Sequence, residues 1–319
     1  MPSPTLGAVA NQVFSSLSTR RRYEVWFIRM GLADGRGAWW FRYLLTNPGR
    51  GGCPQNPRGM PVQVWATWFP LGGKPQTFIQ GLPLDNFDLS ARGQSPFHFR
   101  AGNNMVEESS CRGALEVDGH TIAWDLQYRS TFSVTLSDKG WIGFSRSPHS
   151  DAVFSGQVTL DGQTSAGSPV GFGVQGHNCG YRHRNFWTWA HAYFVQPDGR
   201  ASTLEALIYD MPLGLWFRKA VLWHQGQQHV FRNLREVERD RQNFQWIFRV
   251  AQKEFQLEVA VDGRGPGIHR LPYTKTDCKG NFEVVNNSLA GAVVRLERRG
   301  KSVERLETTT GAVLEMSGG

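Results

Sequence analysis

The segment His183-Arg184-Asn185-Phe186-Trp187-Thr188-Trp189-Ala190-His191-Ala192-Tyr193 concentrates side chains able to do chemistry. Read as a strand it alternates faces, so His183, Asn185, Trp187, Trp189, His191 and Tyr193 point one way. Arg184, Phe186, Thr188, Ala190 and Ala192 point the other. One face then carries indole and phenol rings with hydrogen-bonding tips. A site for a mostly apolar ligand needs this combination, because buried area supplies affinity and a few polar groups fix orientation. The plainer reading is a core filled by aromatic rings, with the histidines satisfied by backbone. His177, His183, His191 and Asn178 in one neighbourhood weigh against it, since a packing core gains nothing from polar groups it must pair. Both readings stay open here.

His177, His183 and His191 also raise the question of a metal. Eight residues of extended chain would hold His183 and His191 about 26 Å apart, beyond joint coordination of one ion, and no carboxylate adjoins His177. No metal is expected. The run Ile122-Ala123-Trp124-Asp125-Leu126 sets Asp125 among bulky neighbours, as a proton donor, an acceptor or a salt-bridge partner. In the first half, Trp40 and Arg42 fall in one aromatic run and Trp65 and Trp68 in another. A guanidinium there can stack on indole faces or pair with a buried acid, the alternative being a surface arginine on an edge strand. There is no Gly-x-Ser-x-Gly elbow, Walker loop or His-Glu-x-x-His. Gly171-Phe172-Gly173-Val174-Gln175-Gly176 has the outline of a dinucleotide fingerprint, but no helix pattern follows to receive a phosphate. No cofactor is expected.

The elements that must position these groups read as strands. Aromatic and β-branched runs such as Tyr23 to Met30, Ala38 to Leu45, Val62 to Phe69, His120 to Tyr128 and Phe186 to Val195 recur between Gly, Pro, Asn and Asp. Asp118-Gly119, Asp161-Gly162, Asp198-Gly199 and Asp262-Gly263 signal tight turns. Only Ala8 to Leu17 suggests a short helix. The pattern predicts an all-β chain of antiparallel barrels or sandwiches, with more strands than one small barrel holds. The polar, Gly/Ser-rich stretch Asp161 to Val170 places a domain boundary near residue 165, dividing the chain into 1–165 and 166–319.

Composition sets wider bounds. At 319 residues the chain exceeds the usual single core, and 12 Trp and 20 Phe make it distinctly aromatic. The net charge of +8 permits peripheral contact with an anionic membrane surface, but the basic residues are scattered among acids, so no nucleic-acid partner is expected. Four cysteines, Cys53, Cys111, Cys179 and Cys278, stand far apart and are expected as free thiols. The first residues lack the form of a secretion signal, and no stretch approaches the roughly 20 apolar residues of a membrane span. A cytoplasmic protein is expected by default. The oligomeric state is not legible.

The order of Tyr23-Glu24-Val25-Trp26-Phe27, Ala38-Trp39-Trp40-Phe41-Arg42-Tyr43, Trp65-Ala66-Thr67-Trp68-Phe69, Trp124-Asp125-Leu126, Gly176-His177-Asn178-Cys179-Gly180, Trp187-Thr188-Trp189-Ala190-His191 and Asn286-Asn287-Ser288-Leu289-Ala290 resembles the tocopherol-cyclase-like and hydroxyneurosporene-synthase-like, or AttH-type, superfamily. The resemblance implies two packed lipocalin-like (calycin) antiparallel β-barrels and a cofactor-free site for an isoprenoid, polyene or lipid. It implies polar roles for His177, Asn178, His183 and His191. Cys179 stands where a bulky aromatic is expected, and no acid pair aligns with a hydratase. Two functions follow. One is a hydratase, cyclase or isomerase in which Asp125, His177, His183 or His191 donates a proton to an alkene and the indoles of Trp40, Trp65, Trp68, Trp187 and Trp189 stabilise the cation. Arg42, Asn178, Asn185 and Tyr193 would help bind the substrate. The other is a carrier of lipid or pigment with the same site and no tuned acid.

Overall fold

The computed structural model describes residues 11–14, 21–47, 60–196 and 199–318, and it is almost wholly β. Single 3₁₀ turns aside, no helix occurs among the described residues. The helix expected over Ala8 to Leu17 lies mostly outside them, and the part they include, Asn11 to Phe14, is turn and coil. No helix among them is long and apolar enough to cross a membrane.

The chain divides into two units. The first comprises Met1–Trp68, Gln76–His183 and Pro272–Phe282; the second comprises Phe69–Pro75, Arg184–Leu271 and Glu283–Gly319. The passage from one to the other therefore falls after His183, not near residue 165. The polar stretch that suggested the earlier boundary is the outer end of a hairpin of two 18-residue strands, turned by Asp161-Gly162. Both turn residues have positive φ (49° and 80°), as do Asp118 and Gly119 (54° and 81°). These are the left-handed conformations that suit Asp-Gly in two-residue hairpins.

The sheet of the first unit is built from β1 (Arg22–Leu32), β2 (Gly37–Asn47), β3 (Val62–Pro70), β4 (Gln76–Leu82), β5 (Phe87–Leu89), β6 (His98–Ala101), β7 (Asn104–Glu107), β8 (Ser110–Val117), β9 (His120–Arg129), β10 (Val134–Asp138), β11 (Gly143–Leu160) and β12 (Gln163–Gly180). Their order is β4-β3-β2-β1-β12-β11-β9-β8-β7-β6-β5, with β10 beside β11. The sheet curls into a nearly closed barrel, and across the closure Asn104 Nδ2 donates to Gln80 Oε1 at 3.2 Å. Its interior holds Trp26, Phe41, Tyr43, Phe99 and Trp124. Trp124 Nε1 donates to the Tyr43 hydroxyl at 2.7 Å, and that hydroxyl donates in turn to the Arg112 carbonyl at 3.4 Å, so the polar tips of two core rings are both met.

Sequence pattern decides which strands show water a face. β9 alternates strictly, Ile122, Trp124, Leu126 and Tyr128 inward and Thr121, Ala123, Asp125, Gln127 and Arg129 outward. β1 and β2 are nearly continuous aromatic and aliphatic runs, and both their faces are buried. The run Gly171 to Gly176 is strand, which accounts for its glycines without a phosphate. A Cβ on Gly176 would collide with the Phe27 ring, and one on Gly173 with the Arg29 carbonyl of β1.

The second unit contains β13 (Trp187–Val195), β14 (Ala201–Asp210), β15 (Trp216–His224), β16 (Gln227–Arg232), β17 (Arg235–Asp240), β18 (Gln245–Gln252), β19 (Phe255–Asp262), β21 (Asn281–Arg298) and β22 (Lys301–Ser317). They run in the order β16-β15-β14-β13-β22-β21-β19-β18-β17, with β20 (His269–Thr274) beside β21. Ala190, Ala192, Phe194, Leu204, Ala206, Ile208, Leu222, Trp246 and Phe248 form its core.

The expectation of four free thiols needs correction. Cys111 and Cys179 are free and buried, but Cys278 is disulfide-bonded. It lies between β20 and β21, in the segment Pro272–Phe282 that groups with the first unit. Cys53 lies outside the described residues.

Candidate functional site

With Ala190, Ala192 and Phe194 committed to the core, the alternate residues Trp187, Trp189, His191 and Tyr193 of β13 share the opposite face of the second sheet. Flanking strands bring two carboxylates to this face. Glu205 of β14 lies opposite His191, and Glu315 of β22 lies opposite Trp189. Trp189 Nε1 donates to Glu205 Oε1 at 3.2 Å, and Trp187 Nε1 donates to Glu315 Oε1 at 2.9 Å. Asn286 Nδ2 reaches Glu315 Oε2 at 3.4 Å, and Ser288 Oγ donates to Asn286 Oδ1 at 3.1 Å. Glu205, Glu315, Asn286 and His191 are all buried. The Trp189 and His191 rings lie parallel, 6.5 Å apart. Lys219 of β15 is near enough for the Glu205 charge to act on it. Burial, and then Arg232, still depress the Lys219 amine, with Glu205 opposing.

The first unit gathers a second set of the expected residues. Trp40, Arg42 and Trp65 are buried on the sheet face opposite the barrel core. Trp68 has the other parity on β3 and packs on Trp39 at 4.9 Å, on the core side. The Arg42 guanidinium carbon lies 4.7 Å from the Trp65 ring centre and 3.8 Å from that of Tyr273. His183 is stacked on Tyr23 at 4.0 Å and lies 5.0 Å from Phe282. Burial, and secondarily the Arg42 charge, lower the His183 imidazole to about 3, so it is neutral near pH 7. It therefore supplies no imidazolium.

The remaining residues are elsewhere. Asp125 is exposed on β9 opposite Arg112, on the outward face. Asn185 is exposed and precedes β13, so the face expected to run from His183 to Tyr193 begins at Trp187. Asn178 is partly buried on β12, opposite Val25. His177 faces the barrel interior, where Nε2 meets Glu24 Oε1 at 2.8 Å and the ring stacks on Trp26 at 4.5 Å. Among the described residues no group of three or more His, Cys, Asp or Glu is placed to hold a metal.

Reading the sequence alone missed Glu205, Glu315, Lys219 and Glu24. Glu205 carried a usable signal, an acid centred in the apolar strand Thr203-Leu204-Glu205-Ala206-Leu207. Glu315 carries less, standing beyond the Thr-rich, Gly-containing run Thr308-Thr309-Thr310-Gly311.

Neither a protein-family model nor a curated protein matches the sequence. Solved structures do match in architecture. An AttH assignment from Nitrosomonas europaea superposes with a TM-score of 0.52 at 15% identity, covering 94% of this chain and 93% of that one. Kievitone hydratase from Nectria haematococca gives 0.55 at 12% identity, covering 99% and 96%. CghA with Sch210972 gives 0.59 at 13% identity, covering 93% and 88%. The chain thus has the fold of these proteins along nearly its whole length, the architecture its motif order implied.

Proposed function

We propose that the protein is a cofactor-independent enzyme that moves a proton to and from an apolar, alkene-bearing substrate of isoprenoid, polyene or lipid type on the aromatic face of β13. The observation that carries this reading is the pair of buried carboxyl groups, Glu205 and Glu315, each fixed by a tryptophan N–H. A carboxyl group removed from water disfavours its charged form, which suits it to donate a proton to carbon. The carbon cation so formed would be stabilised by the indole faces of Trp187 and Trp189. The carboxylate left behind would recover a proton from attacking water in a hydration, or from a neighbouring carbon in an isomerisation or cyclisation. The fold shared with a hydratase and with CghA supports the reading by analogy. The same indole-to-carboxylate bonds also suit a rigid carrier site, the second reading.

Native mass spectrometry with organic extraction of the purified protein tests both. Enzyme action predicts that wild type and Glu205→Gln or Glu315→Gln copurify with different forms of one apolar molecule, related by isomerisation or by one water. Identical cargo in all three would support the carrier and overturn the enzyme.

A further inference from the structure

We propose that Arg42 is the head-group receptor of a ligand site in the first unit, one that takes an apolar molecule ending in a single carboxylate. Arg42 is 5% exposed, yet it makes no hydrogen bond or ion pair among the described residues, and its Nη1 is buried without an acceptor. Two more exposed arginines are each paired, Arg146 with Asp138 at 2.6 Å and Arg249 with Glu258 at 2.9 Å. The Trp65 and Tyr273 rings satisfy the Arg42 charge through their π faces. They leave its in-plane N–H donors unmet. Five donors in a rigid planar fork are the complement of a carboxylate, which accepts two of them side by side.

The arrangement is built rather than incidental. Trp65 Nε1 donates to Gln63 Oε1 at 2.9 Å, and Gln63 Nε2 donates to Thr274 Oγ1 at 3.1 Å. Gln63 thereby ties the strand that carries Trp65 to the segment that carries Tyr273. The two rings meet edge to face at 5.7 Å, and the disulfide at Cys278 fastens the same returning segment. Neutral His183, Tyr23 and Phe282 extend the aromatic surface beside the cation, which favours an apolar body behind the anionic head.

The inference does not rest on proton transfer in the second unit, because it concerns affinity and can be read in Glu205→Gln as well as in wild type. The probe is cis-parinaric acid against its methyl ester, titrated by fluorescence. Wild type should bind the acid at least tenfold more tightly than the ester. Arg42→Met should lose that preference while keeping its affinity for the ester, and Arg42→Lys should keep only part of it. Binding of the acid should also raise the His183 pKa, followed by NMR, because the anion offsets the Arg42 charge that helps to hold it down. Failure of wild type to bind the acid, equal affinity for acid and ester, or an acid preference retained by Arg42→Met would overturn the assignment. The wild-type comparison decides even if Arg42→Met does not fold.

Discussion

Glu24 Oε1 and His177 Nε2 lie 2.8 Å apart with both side chains wholly buried. The same oxygen accepts the Phe14 backbone N–H at 2.8 Å, and Trp26 Nε1 donates to the Asn11 carbonyl at 3.3 Å. The pair thus anchors residues 11–14 to the barrel. Deleting one member of a buried pair strands the other, at a cost of about 3–5 kcal/mol, whereas replacing both with apolar groups costs far less. Glu24→Ala should therefore lower stability to urea by that amount, and Glu24→Leu with His177→Leu should lose much less than the sum of the single changes. Additive losses would mean that the two groups are not coupled.

Trp189 serves two roles in the proposed site, as an indole face and as the donor to Glu205. Trp189→Phe keeps most of the ring and removes the N–H. Leaving a buried acceptor short of one donor should cost about 1–3 kcal/mol of stability. It should also reduce turnover of the recovered substrate by more than tenfold, measured as kcat. An unchanged kcat would make the Trp189–Glu205 bond purely structural.

Acid should weaken the fold through its histidines. His183 is lowered to about 3, and burial also lowers His149 and His224, against about 6.5 in an unfolded chain. Between those values the unfolded chain takes up protons that the folded one excludes. Stability should therefore be full above about pH 6.5 and decline as pH falls toward 3. His183→Asn should flatten that decline in urea titrations across the pH range, and an unaltered slope would place the proton uptake elsewhere.

The thiols should sort by environment. Burial holds the Cys111 thiol far above its ordinary value, and Cys179 is 2% exposed. Neither should react with a thiol reagent until the protein is unfolded, and Cys278 should react only after reduction. Peptide mapping of the labelled protein checks all three assignments. Labelling of Cys278 without reductant would contradict the disulfide.

Much of the architecture was readable because β9 and β13 advertise a period of two. In β13 the alternation sets Ala190, Ala192 and Phe194 on one face and Trp189, His191 and Tyr193 on the other, but period alone did not say which face is core. The same period, applied to His120 through Arg129, would have turned Asp125 outward; its bulky neighbours drew attention away from its parity. The hairpin tip at Asp161-Gly162 resembled a linker because its solvent end is polar on both faces. The grouping of Glu205 with Glu315 was not legible. It arises from strands more than a hundred residues apart in sequence that flank β13, a pairing no local pattern encodes. The ties of Tyr273 and Thr274 to Trp65 and Gln63 are hidden for the same reason.

Proton transfer to carbon at Glu205 and Glu315 is tested most directly by incubating the extracted apolar molecule with the protein in deuterium oxide. A carboxyl group that exchanges with solvent and protonates carbon should leave one non-exchangeable deuterium in the molecule with wild type. Glu205→Gln or Glu315→Gln should abolish that label while still binding the molecule. A wild-type product with no deuterium on carbon would contradict the account.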